Sequence, residues 1–187
     1  MRLLRAAFLL IQRGLVSKNL VFLDEFGANL AMAPRYGRSP AGRRVYVKRP
    51  ASRGKNKTFA GALTADGPIA VKALPGSATV QNFTDWVRED LCPVLLPGQV
   101  VVMDNLRSHH REEVAALINA RGASVLFIPP YSPEFNPIEE CWSKIKSFLR
   151  KARARTEEAL IEAVRMALET VSSKDAIGWF NHAGYAL

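Results

Sequence analysis

Pro129-Pro130-Tyr131-Ser132-Pro133-Glu134-Phe135-Asn136-Pro137-Ile138-Glu139-Glu140 is the stretch on which the reading of the fold turns. Pro129, Pro130 and Pro133 exclude regular structure and hold a stiff turn. Asn136-Pro137 then predicts a helix start, with Asn136 as N-cap and Pro137 at the first helical position. Ile138, Cys141, Trp142, Ile145 and Leu149 recur at the spacing of one buried stripe, which predicts a helix over 137–152. Glu139 falls in its first turn. There it either closes a capping box back onto the Asn136 amide or is a carboxylate held in place for chemistry. Two further acids, Asp24 and Asp104, decide between these readings.

Both end apolar runs. Leu20-Val21-Phe22-Leu23-Asp24-Glu25 predicts a buried central strand with an acidic tip, and Gln99 to Asn105 predicts a second one. Other strands are expected at Asn29 to Ala33, Val45 to Lys48, 57–64, 68–74 and Ser124 to Ile128. Ala65-Asp66-Gly67 reads as a hairpin turn. Helices are expected at Thr79 to Leu95, Glu112 to Arg121 (stopped by Gly122) and Thr156 to Val171 (capped by Thr156). Residues 1–19 carry no clear assignment and residues 20–187 form one domain. The order of elements predicts an α/β fold, a mixed sheet with helices on its faces.

In such a sheet, neighbouring strand ends and a following helix can bring Asp24, Asp104 and Glu139 together. Clustered carboxylates repel unless protons or cations neutralise them. Their oxygens suit hard divalent ions such as Mg2+ or Mn2+. Two ions about 3.5–4 Å apart clamp the attacking and leaving oxygens of a phosphoryl transfer. Glu25 and Glu140 compete with Asp24 and Glu139, and spacing alone leaves both alternatives open.

The chain has 187 residues and a formal charge of +9, with 26 Lys and Arg against 17 Asp and Glu. This balance favours a polyanionic partner, and nucleic acid above a membrane surface. Basic loops place Arg35, Arg38, Arg43 and Lys48 as candidate DNA contacts, and the 137–152 helix adds Lys144, Lys146 and Arg150. Cys92 and Cys141 read as reduced core thiols, and two cysteines with three histidines lack zinc-finger spacing. No apolar run approaches the ~18 residues of a membrane span. A cytoplasmic protein is expected.

Three blocks resemble the catalytic blocks of DDE transposases, and more narrowly the bacterial insertion sequence 630 family within the mariner superfamily. They are Phe22-Leu23-Asp24-Glu25-Phe26-Gly27, Val102 to His109, and Pro130 to Glu139, with 34 residues (105–138) between Asp104 and Glu139. Tyr36-Gly37-Arg38-Ser39-Pro40 and Asn181 to Tyr185 are similar as well. Phe26 departs from the pattern, where a small hydroxyl residue is usual. The resemblance implies a ribonuclease H-like fold, two Mg2+ ions with Mn2+ as substitute, and DNA strand cleavage and transfer at transposon ends. It implies Asp24, Asp104 and Glu139 as catalytic, metal-binding residues, with Asn105 and His109 positioning loop and substrate around them. It further implies DNA ends and target as partners, and a homodimer or higher assembly. Relatives carry helix-turn-helix modules before the first block, so a separate polypeptide of that kind is a candidate partner. The competing reading is a transposase fragment that binds DNA without cutting it.

Overall fold

A computed structural model describes residues 2–48, 50–52, 54, 56–76, 79–104 and 108–185. Five strands form one sheet in the order β3-β2-β1-β4-β5. β1 (Leu20–Ala28), β2 (Lys57–Thr64) and β3 (Gly67–Ala73) run antiparallel, while β4 (Val100–Met103) and β5 (Ser124–Phe127) run parallel to β1. The expected mixed sheet is therefore present, with β1 at its centre.

Residue parity along β1 sorts the sheet's two faces. Phe22 and Phe26 enter one core with α4 (Ile138–Ala152), α5 (Glu157–Glu169) and α6 (Ser173–His182). Val21 and Leu23 enter the other, with α2 (Val80–Trp86) and α3 (Ser108–Asn119). α4 carries the buried stripe read from its sequence: Ile138, Cys141, Trp142, Ile145 and Leu149 are all inside. Thr156 caps α5 as expected by accepting from the Ala159 amide.

Several elements differ from the sequence reading. Asn29 to Ala33 and Val45 to Lys48 form no strands. β1 runs on to Ala28 and pairs directly with β2 from Lys57, so the segment between them has no ladder to join. The Thr79 to Leu95 helix is regular only over α2, then loosens into a wide turn at Val87–Leu91 and a tight one at Cys92–Val94, where Pro93 donates no hydrogen bond. An N-terminal helix, α1 (Arg2–Gln12), occupies part of the unassigned segment. α6 was not expected, although Ser172 and Asp175 close a reciprocal capping box at its start. Among the described residues, no helix is long and apolar enough to cross a membrane.

Candidate active site

Asp24 does not stand at a strand tip. It sits mid-strand, paired with Gly61 across the β1–β2 ladder. On its other side β1 pairs with β4 from Leu20↔Val100 as far as Phe22↔Val102, and β4 ends at Met103. Extending that parallel register by two steps sets Asp104 against Asp24. Parity puts Asp24 on the face of Phe22 and Phe26, the face covered by α4. Glu25 shares parity with Leu23 and belongs to the α2–α3 face. The sheet thus sets the two competing acids, Asp24 and Glu25, on opposite faces.

The helix start is built differently from the expected cap. α4 begins at Ile138, and its first turn has no side-chain cap. The Glu139 and Glu140 amides are instead taken up by the Asn136 and Pro137 carbonyls, each at 3.2 Å. The capping-box reading of Glu139 therefore fails. Glu139 is exposed and lines a cleft of about 380 Å3 with Asp104, Pro130, Tyr131, Ser132, Pro133 and Asn136. Glu140 lies on the other flank of α4 and meets His182 Nδ1 at 2.5 Å.

Electrostatics tie the three acids together. Burial, then the Glu139 charge, push the half-buried Asp24 carboxyl up to about 7, and Glu25 and Asp104 add smaller pushes. Burial also raises Asp104, and burial followed by the Asp104 charge raises Glu25. Anions that repel across a cleft, with hard oxygen donors, suit a divalent cation. Among the described residues, however, no three such side chains close into an arrangement that holds an ion. The donor chemistry fits a metal; the spacing in this structure does not complete a cage.

The loop before α4 is pinned by both ends of the chain. The Tyr185 hydroxyl, itself buried, donates to the Phe135 carbonyl at 2.9 Å. Phe8 of α1 packs on the Phe135 ring, 4.9 Å between centroids, and Arg5 pairs with Glu134. Gln12 donates to the Ala183 carbonyl at 2.8 Å, joining α1 to the end of α6. Sequence reading missed this clamp because its members are far apart along the chain. It also missed Asn136 as a cleft residue: buried, not capping, with no hydrogen-bond partner for Oδ1 among the described residues.

The other candidates scatter. Asn105 lies outside the described residues, and His109 is placed only as backbone in α3. Arg35, Arg38, Arg43 and Lys48 are exposed on the loop after β1. Lys146 sets its ammonium 5.9 Å from the Phe26 ring centroid. Lys144 instead donates to Thr170 O and Asp175 at 2.8 Å each, so it ties α4 to the chain around α6 rather than standing free.

The family of DDE superfamily endonucleases matches over residues 19–161. The fold is similar to that of the Mos1 transposase paired-end complex with left transposon end (TM-score 0.72, 14% identity, 96% of this chain, 56% of that chain). It is similar to the Mos1 mariner paired end complex with Mn (TM-score 0.74, 15% identity, 97% and 57%). The catalytic domain of Mos1 mariner transposase aligns over more of its own length (TM-score 0.63, 14% identity, 97% and 84%). The mixed five-stranded sheet with flanking helices is the ribonuclease H-like fold of that domain. The chain spans a little over half the length of the transposase chains in the two complexes. No curated protein matches it.

Proposed function

This chain belongs to the DDE superfamily endonucleases, and on that premise we propose that it is a transposase catalytic domain that cuts and rejoins DNA strands at transposon ends. The observation that carries the reading is the placement of Asp24 on the α4 face of β1, in electrostatic reach of Glu139 and Asp104. The 34-residue spacing (105–138) and the Pro130 to Glu139 block support the narrower assignment to the insertion sequence 630 group.

In this reading Asp24, Asp104 and Glu139 hold the metal. Mg2+, or Mn2+ in its place, would supply Lewis-acid stabilisation of the attacking and leaving oxygens. Asp104 and Glu139, both exposed, line one cleft, while Asp24 lies deeper on the α4 face of β1. The Pro129–Pro133 turn and its clamp by Tyr185 and Phe8 keep Glu139 from drifting as the backbone phosphate enters. Such preorganisation is what in-line transfer needs. Asn105 and His109, one and five positions after Asp104, belong to the same proposal as positioning residues. Solved structures of Mos1 include a complex with a transposon end, which supports DNA ends as substrate and assembly of two or more copies upon them. Sequence-specific recognition of those ends would fall to a helix-turn-helix module, because phosphate contacts carry no sequence directly.

The test is nicking of duplex DNA carrying the element's terminal repeats, with Mg2+, with Mn2+ and with EDTA. Metal-dependent nicking that disappears in Asp104→Asn is expected. DNA binding with no cleavage under any metal would leave only the non-catalytic fragment reading.

A further inference from the structure

A second cleft, of about 460 Å3, opens away from the carboxylates between the loop after β1 and the C-terminal part of α4. Arg35 from the loop and Arg150 from α4 line it with Asn29, Met32 and Pro50, and no acidic residue lines it among the described residues. The loop is built rather than loose at this point. Arg155 donates to the Leu30 carbonyl at 2.7 Å and the Met32 carbonyl at 3.2 Å, and the Asn29 side chain accepts from the Ala31 amide at 3.0 Å. Arg35 and Arg150 share this cleft, and burial and the Arg35 charge draw the Arg150 guanidinium below its ordinary value. Two converging guanidiniums in a polar cleft suit one bridging oxyanion, because each fork can give parallel N–H donors to phosphate oxygens.

α4 connects this cleft to the acids. Residues 139, 143, 146 and 150 fall on one flank of the helix, while Glu140 and Lys144 occupy the other and are engaged with His182 and Asp175. Glu139, Lys146 and Arg150 therefore form a single track. Arg150 lies about 16 Å along the axis from Glu139 at about 1.5 Å per residue. Measured along a duplex axis that is about five base-pair steps at ~3.4 Å each.

We propose that the Arg35–Arg150 cleft seats one phosphodiester of the duplex backbone, about five base pairs along the duplex axis from the bond presented to the carboxylates, with Lys146 lying on the helix between the two. The seat rests on the reading of this chain as a DNA-cutting domain, and it adds a register: the grip and the cut are held apart by a fixed length of helix.

The test is a double-mutant cycle on binding, run in EDTA so that cleavage plays no part. The probe is a labelled random-sequence duplex of about 20 base pairs, two helical turns. Arg35→Ala and Arg150→Ala should each raise Kd roughly tenfold, the scale of a charge-assisted contact, and flatten the salt slope by about 0.9. Because both hold one phosphate, the double variant should lose little more than either single one. Arg150→Lys, which keeps the charge but not the fork, should retain the slope and lose part of the affinity. Circular dichroism checks folding of each. Losses that add in full, or no loss in either single variant, would overturn the shared seat. Displacement of the duplex by inorganic phosphate at constant ionic strength would make the cleft a site for the free anion, and would overturn it too. Nicking that fails while the cycle holds counts against the catalytic reading alone; a failed cycle with nicking intact counts against the seat alone.

Discussion

Asp24 and Gly61 face each other across the β1–β2 ladder, and Trp142 of α4 closes over Gly61. A Cβ at Gly61 would stand 2.8 Å from Trp142 Cη2 and 2.8 Å from Val71 Cγ2. The helix that carries Glu139 thus reaches the strand that carries Asp24 because one residue between them has no side chain. Trp142 is anchored further by Phe26, 4.6 Å between ring centroids.

Gly61→Ala should therefore damage the site through packing. Overpacking of this kind costs about 1–3 kcal/mol, read as a lower urea midpoint with unchanged slope. Strand cleavage should fall further than stability accounts for, because the indole can yield only by moving α4. Trp142→Leu should recover part of the loss in the double variant. A Gly61→Ala protein that melts and cleaves like wild type would show that α4 is not held here.

Asp24→Asn should separate stability from activity. The carboxylate is half-buried and pressed by Glu139, Glu25 and Asp104. An isosteric amide removes that repulsion, so the metal-free variant should melt higher than wild type while cleavage is lost. Mn2+ should raise the wild-type melting temperature by linkage and leave the variant unmoved. Equal Mn2+ shifts in both proteins would remove Asp24 from the metal set.

Glu139→Gln and Glu140→Gln are neighbours with opposite expected outcomes. The first should fold normally and lose cleavage by orders of magnitude, since an amide cannot supply the charge. The second breaks only the exposed contact to His182 and should cleave within a few-fold of wild type. Reversed results would transfer the role to Glu140.

Asp175 gives a pH dependence remote from the cleft. Hydrogen bonds from Lys144 and Ser172 hold its carboxyl well below the usual range. Its folded value is depressed, so its contribution is complete above the ordinary value of about 3.9 and disappears as pH falls through the depressed one. Asp175→Asn should lower the melting temperature at neutral pH, and the gap from wild type should narrow as the solution is acidified below pH ~4. Ser172→Ala should cost about 1 kcal/mol as a lost cap. A gap that stays constant down to strong acid would mean the pair contributes no charge-dependent stability.

Much of this was legible from residues alone, for identifiable reasons. The helix after the proline turn was readable because its stripe has one period and one face. β1 and β4 were readable as apolar runs, but the choice between Asp24 and Glu25 depends on which face α4 covers, and no local pattern contains that. The false strands at 29–33 and 45–48 have suitable composition and no available partner, and a strand exists only in a ladder. The capping-box alternative for Glu139 followed sound local chemistry, yet the Asn136 amide it would close on donates instead to the Pro133 carbonyl. The two arginines of the second cleft were each visible as basic residues, while their convergence required the fold.

The uneven pairing of β1 carries a consequence for local opening. Leu20 and Val21 pair with β4, Phe22 pairs with both neighbours, and from Leu23 to Ala28 the ladder runs only against β2. The strand is therefore doubly held at Phe22 and has one open side where the acid sits. The backbone amide at Phe22 should exchange with deuterium only on global unfolding, and those on the open side beyond Asp24 should exchange through smaller, more frequent openings. A strand built this way can give at its acidic half while Phe22 stays locked.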